Sequence, residues 1–477
     1  MDVDTYLQHL RAGLSSVADW ERRWEPFETA PELAHPAEPI QAVLRELGTR
    51  LTDNYPFFHP RYAGQMLKPP HPVATLAYAM AMRINPNNHA LDGGPATAQL
   101  EREAVGELAR MFGYGTEHLG HLTSSGTIAN LEALWVARQL HPGKAVAFSE
   151  QAHYTHGRMC EVLGVRAIVI QADAHGRLDL ADLARRIEDG ELGAGPAIGT
   201  VVATLGTTGI GAVDPIDKLT EMAASGPGDR PRRFRLHVDA AYGGFYRLLA
   251  DRQPPEVDRA PFRAVAAADS IVVDPHKHGL QPYGCGCALF KDPAVGALYK
   301  HDSPYTYFSS KDPHLGEISL ECSRAGAAAA AFWATLRCFP LQPDRGLGPV
   351  LAATRRAALD FAKAVRASDV LELVFEPELD ILAYFPFDDR RKASEISSLT
   401  EAVFERLMAD PAEPVYLAKL VLPRHLAEPH AKEMVWDQDT VTVLRSCLLK
   451  PEHAGHVSEL VGWIEREARA CAVPARR

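Results

Sequence analysis

Between about residues 61 and 340, short apolar runs rich in β-branched residues alternate with stretches whose apolar positions recur at helical spacing. Residues 144–148, 167–170, 200–205, 235–239, 270–274 and 287–290 are the expected strands. Strands that alternate with helices predict βα units and a mostly parallel sheet. From residue 1 to about 60, short amphipathic helices are joined by proline-containing connectors such as Trp24-Glu25-Pro26, which reads as an N-terminal arm. After Pro340, the breakers Pro343, Asp344, Gly346 and Gly348 precede a long helical pattern that begins near Val350. Strands are expected near 371–375 and 381–385, in a smaller C-terminal domain. The expected division is therefore an arm over 1–60, a large domain over 61–345 and a small α/β domain over 346–477. The longest apolar run, 325–336, is alanine-rich and too short to cross a bilayer; it predicts a buried helix.

With 477 residues the chain exceeds one ordinary hydrophobic core, which agrees with more than one domain. Hydrophobic residues at 46% and charged residues at 23% are those of a folded globular protein. The net charge of −11 is spread without a basic block, so nucleic acid is an unlikely partner. The acidic start Met1-Asp2-Val3-Asp4 does not resemble a secretory signal. Seven cysteines at irregular spacing do not form a disulfide framework, and a reducing cytoplasm fits them best. Cys285 and Cys287 lack a second Cys/His pair at zinc spacing, so they read as small residues of a buried strand and no metal is expected.

Three separated segments carry the candidate chemistry. In His121-Leu-Thr-Ser-Ser-Gly-Thr-Ile-Ala-Asn130, hydroxyls and a glycine precede a helix marked by Ile128, Leu131, Leu134 and Trp135. Free N–H groups at such a helix start favour a phosphate, although an ordinary capping segment has the same composition. In Leu236-His-Val-Asp-Ala-Ala-Tyr-Gly-Gly244, a strand ends in an acid followed by small residues that leave room for a flat ring. A carboxylate there can keep a pyridine nitrogen protonated; a simple capping Asp is the alternative. In Ser270-Ile-Val-Val-Asp-Pro-His-Lys-His-Gly279, an apolar strand ends at Lys277. Burial and nearby positive charge favour a free amine at such a position, the form that condenses with an aldehyde.

A phosphate cradle, a counter-charge for a pyridine nitrogen and an amine are the needs of pyridoxal 5′-phosphate. In order and spacing, Thr123-Ser-Ser-Gly-Thr127, His237-Val-Asp-Ala-Ala-Tyr-Gly-Gly244 and Asp274-Pro-His-Lys277 resemble the group II pyridoxal-phosphate-dependent amino-acid decarboxylases, which include the aromatic-amino-acid, tyrosine and glutamate enzymes. The resemblance runs from roughly residue 60 to 451. It implies the α/β fold type I of aspartate aminotransferase, with a large domain of mostly parallel sheet, and a homodimer.

By the same resemblance, Lys277 holds the cofactor as a Schiff base, His276, Ser124, Ser125 and Gly126 hold its phosphate, and Asp239 faces its ring nitrogen. Ala241 packs on the ring, His153 of Ala152-His153-Tyr154 stacks over its other face, and Thr207 of Thr204-Leu-Gly-Thr-Thr208 contacts cofactor or substrate. Arg445 in Val443-Leu-Arg-Ser446 is the candidate for the substrate carboxylate, with a surface ion pair as the alternative. Asn88 and His89, in Asn85-Pro-Asn-Asn-His89, lie where relatives supply substrate-pocket residues, often from the neighbouring subunit; a turn-rich loop reads equally well.

The family's loop tyrosine, which protonates the product carbon, matches Tyr307 first and Tyr305 second, with His314 as another acid nearby. The resemblance thus implies decarboxylation of an L-amino acid, such as tyrosine, to an amine and CO₂. A carbon–carbon lyase or an aldehyde-forming enzyme using the same cofactor is the alternative. His278-Gly279 and Gln281-Pro-Tyr-Gly-Cys-Gly286 depart from the animal enzymes and are more similar to archaeal tyrosine/aspartate decarboxylases and, distantly, to sphingosine-phosphate lyases.

Overall fold

The computed structural model describes residues 1–34, 36–225, 233–299 and 318–472. Helix α1 (Val3–Glu21) starts where the Asp2 carboxylate accepts the Thr5 N–H at 2.8 Å, and α2 (Ala37–Leu51) follows; neither contains a buried residue. Proline in the first turn opens α3 (Pro72–Met82) and α4 (Pro95–Phe112), where its missing N–H costs nothing. Gly113, at φ +85°, ends α4 in the left-handed conformation that glycine adopts most readily. The alanine-rich run forms the helix Gly326–Cys338, which packs on α3 and α4 as the buried helix expected of it.

The large sheet contains β1 (Leu119–Thr123), β2 (Ala145–Ser149), β3 (Ala167–Ile170), β4 (Ile198–Thr204), β5 (Arg235–Asp239), β6 (Ser270–Val273) and β7 (Gly286–Phe290). Its order is β1-β7-β6-β5-β4-β2-β3. The pairings from β6 to β3 are all parallel, and β7 runs antiparallel to both of its neighbours. The expected mostly parallel α/β fold is therefore present. Strands β2, β4, β6 and β7 are buried at every position, which explains their continuous apolar runs: helices cover both faces. β1 was not among the expected strands, because Leu-Gly-His-Leu-Thr has little β-branched character and acquires its strand form by pairing with β7.

Two further helices matter for the site: α5 (Gly126–Leu140) follows β1, and α6 (Thr155–Leu163) follows β2. The second sheet contains β8 (Leu371–Leu373), β9 (Ile381–Pro386), β10 (Ala418–Pro423) and β11 (Thr440–Cys447), all antiparallel in the order β10-β11-β9-β8. Tyr62 and Ala63 join this smaller body: Tyr62 bridges to Tyr416, and Cys447 N–H donates to the Ala63 carbonyl at 2.7 Å. Among the described residues no helix is long and apolar enough to cross a membrane.

Candidate active site

The carboxyl ends of β1, β4, β5 and β6 open on one edge of the large sheet, the edge at which parallel α/β sheets bind ligands. A cleft of about 180 Å³ lies there. Its lining combines Ser125, Gly126 and Thr127 from the start of α5 with His153 and Thr155 from the approach to α6, Asp239 at the end of β5 and Ala241 just beyond it, and Asp274, His276 and Lys277 from the turn after β6.

Lys277 lies in the turn after β6, with Nζ 3.1 Å from Asp274 Oδ2. Its closest charged partner is thus a carboxylate, where a cationic neighbour had been expected. Asp274 Oδ1 is buried and has no hydrogen-bond partner among the described residues. An ideal Cβ at Gly126 would lie 2.6 Å from Asp274 Oδ2, so only glycine lets the α5 start sit this close to the acid. Ser125 caps α5, its Oγ accepting the Ile128 N–H at 3.3 Å. His276 Nδ1 lies 2.7 Å from the Cys285 carbonyl, which fixes its ring at the cleft wall, and burial lowers its pKa.

Asp239 ends β5, with only 5% of its surface exposed. Its Oδ1 accepts the Ala241 N–H at 3.1 Å and its Oδ2 lies 2.9 Å from His156 Nε2. Burial pushes its pKa upward, but the hydrogen bond and charge of His156, followed by Lys277 and His237, outweigh that and hold it well below the usual carboxylate range. His153 is held by Nδ1 at 2.7 Å from Thr155 Oγ1, and burial is the main cause of its lowered pKa.

The pyridoxal-dependent decarboxylase conserved domain matches residues 28–385, three quarters of the chain. The chain belongs to the pyridoxal-dependent decarboxylase family. The L-tyrosine decarboxylase of Enterococcus faecium is 29% identical over 463 residues, which cover 76% of this chain and 75% of that one. The L-aspartate decarboxylase of Thermococcus kodakarensis is 27% identical over 399 residues, covering 83% and 96%. The crystal structure of Oryza sativa TDC with PLP and tryptamine superposes with a TM-score of 0.76 at 19% identity, covering 98% and 99%, and shows the shared fold type I.

This decarboxylase is a lyase that uses pyridoxal 5′-phosphate to decarboxylate an amino acid. The donor set of the cleft fits that cofactor: a helix start with a hydroxyl for the phosphate, an ionised buried acid for the ring nitrogen, and a primary amine for the aldehyde. The orphaned Asp274 Oδ1 beside the glycine-lined start of α5 is a polar atom that a bound ligand can satisfy.

The cleft of the decarboxylase brings together Ser125, Gly126, His153, Asp239, Ala241, His276 and Lys277. Five other expected contacts lie elsewhere, for local reasons. Ser124 faces outward and its N–H donates to Glu321 Oε2 at 2.8 Å. Thr207 is fully buried with Oγ1 accepting the Ala212 N–H at 3.0 Å, and the next residue, Thr208, lines the cleft instead. Asn88 is buried, its amide held by Glu101 and Thr97 at 2.6 Å each. His89 lies outside the cleft wall, with its N–H on Asn87 Oδ1. Arg445 donates to the carbonyls of Thr208 at 2.6 Å and Gly209 at 2.9 Å, which anchors the loop that carries Thr208 to the cleft. Tyr305, Tyr307 and His314 fall outside the described residues.

Sequence reasoning missed His156, Thr155 and Asn130. His156 could have been found: it lies three residues after His153, and that spacing puts both at the same helix start.

Proposed function

We propose that this decarboxylase takes an L-amino acid with an aromatic side chain, L-tyrosine first among them, and releases CO₂ and the corresponding amine. The observation that carries the reading is the meeting of Lys277, Asp239 and His153 in one cleft at the carboxyl edge of the sheet. The naming of the Enterococcus faecium relative as an L-tyrosine decarboxylase supports the substrate. The archaeal relative named for L-aspartate makes that amino acid the competing outcome.

Bound pyridoxal phosphate supplies the aldehyde that captures the substrate amine and the ring that takes up the electron pair left by CO₂. Lys277 provides the Nζ amine that the substrate displaces. Asp239 would hold a positive ring nitrogen by charge pairing, and His153 and Ala241 would pack against a flat ring. Ser125, Gly126 and His276 hold the phosphate. Tyr307, or Tyr305 two residues before it in the sequence, delivers the proton that completes the amine and so excludes the aldehyde.

The functional unit is a homodimer in the cytoplasm. The apolar row Ile40, Val43, Leu44, Leu47 and Leu51 on α2 is exposed within one chain and supports a second copy as its cover. The free cysteines of the described residues support a reducing compartment.

The test is a screen of the twenty amino acids with purified enzyme and added cofactor, following CO₂, amine, aldehyde and peroxide, with Lys277→Ala as control. CO₂ and tyramine from L-tyrosine, lost by about 10³-fold or more in the variant, are expected. β-Alanine from L-aspartate would replace the aromatic reading, and aldehyde in place of amine would replace the proton-delivery step.

A further inference from the structure

His156 is itself neither part of the cleft lining nor exposed to solvent, yet it faces the acid on which the electron sink depends. An ionised carboxylate can only accept, so the hydrogen of the 2.9 Å contact belongs to His156 Nε2. With the Ala241 N–H on Oδ1, both oxygens of Asp239 are then occupied by donors and the plane of the carboxylate is fixed. The His156 ring leans on Phe148, with centroids 5.8 Å apart, and its Nδ1 is buried without a partner among the described residues. No second acceptor competes there for the ring's orientation. The titratable groups that share this interior with His156 are Asp239, His153, His237 and Lys277. His237 is already committed to Asn130 Oδ1 at 2.8 Å and Ser270 Oγ at 2.9 Å, so it cannot replace His156 as the donor.

We propose that His156 is a positioning residue for the decarboxylation: by donating Nε2–H to Asp239 it keeps that carboxylate ionised and aimed, so that the cofactor's ring nitrogen stays protonated. The inference rests on the reading that Asp239 faces that nitrogen. It gives the start of α6 two tasks, since His153 at the cleft wall and His156 behind Asp239 are held by the same turn. A shift of α6 therefore moves the stacking ring and the acid's donor together.

His156→Leu removes the donor and fills its volume, whereas His156→Gln can offer an amide N–H in its place. Apoenzymes are titrated with pyridoxal phosphate, and the holoenzymes are studied by ¹⁵N NMR with the cofactor labelled at its ring nitrogen. His156→Leu is expected to weaken cofactor binding by about 10- to 100-fold. It should also move the ring-nitrogen signal toward that of the unprotonated form and lower kcat more than it raises KM, while His156→Gln restores most of the wild-type signal. Wild-type affinity and a protonated nitrogen in His156→Leu would overturn the proposal. Asp239→Ala separates the two readings: if it too leaves the nitrogen protonated, the placement of Asp239 is at fault, and if only His156→Leu does so, His156 alone is. Should His156→Leu not fold, wild-type apoenzyme with ¹⁵N-labelled histidine decides. A downfield Nε2–H resonance that Asp239→Ala abolishes upholds the bond, and its absence refutes it.

Discussion

His278 and Asp380 are 102 residues apart in sequence, yet His278 Nε2 lies 3.0 Å from Asp380 Oδ2 with both side chains fully buried. Tyr242 donates its hydroxyl to Asp380 Oδ1 at 2.7 Å, and His278 Nδ1 lies 2.9 Å from the Tyr242 carbonyl. Asp380 immediately precedes β9 of the small sheet, and His278 immediately follows Lys277, so this network joins the second sheet to the lysine turn. Burial works against the ionised form of Asp380, but His278 and the tyrosines outweigh it and lower its pKa. Asp380→Ala leaves His278 and Tyr242 without their acceptor in the interior. It is expected to cost about 3–5 kcal/mol in urea unfolding and to loosen cofactor retention.

Gly126 lies against Asp274, where an added Cβ would be 2.6 and 2.7 Å from the two carboxylate oxygens. Gly126→Ala must therefore push the acid away from Lys277 or move the start of α5. Overpacking of this kind costs about 1–3 kcal/mol. A loss of cofactor affinity of about tenfold or more is expected in an apoenzyme titration, with the far-ultraviolet spectrum unchanged.

Two buried histidines set an acid limit on stability. Burial pulls His237 down to about 3, opposed first by Asp239, and burial with Lys450 pulls His453 down to about 3. In the unfolded chain each titrates near 6.5, so between roughly pH 6.5 and 3 the unfolded state holds a proton that the folded state refuses. Their contribution is complete above about pH 6.5 and is lost as the pH falls, at about 1.4 kcal/mol per pH unit for each group. Urea midpoints measured from neutral pH down to about pH 5 should fall, and His453→Gln should make that fall shallower.

Helix α2 presents Leu44 at 59% and Leu47 at 48% exposure. Leu44→Glu with Leu47→Glu places two charges in the proposed subunit contact. Light scattering is expected to show a shift from dimer to monomer, and unfolding of the monomer should change by no more than about 0.5 kcal/mol, as for other surface substitutions. An unchanged dimer mass would remove α2 from the interface.

The strands at 167–170 and 235–239 were legible to the residue, and those near 145, 200, 270 and 287 within a residue or two: β2, β4, β6 and β7 are buried on both faces and so largely apolar, while β-branched residues mark β3 although its alternate positions are exposed. The Ser-Ser-Gly, Val-Asp-Ala and His-Lys segments declared the cofactor for a related reason: each joins a regular element to residues with a distinct chemical task. β1 and β10 escaped notice, since an edge strand takes much of its stability from its partner and little from its own composition.

Side-chain direction in the loops depended on the tertiary structure. Of two adjacent threonines, Thr208 rather than Thr207 faces the cleft, because the turn closed by the Ala212 N–H buries one and exposes the other. Arg445 was legible as a strong donor, but only packing decided that the carbonyls of Thr208 and Gly209 would take it. The sequence by itself determined which residues can do this chemistry and the order of their segments along the chain. The partners of His156 and His278 are 83 and 102 residues away, and such contacts arise only when separate strands and sheets close on one interior, where each buried polar group must find a partner.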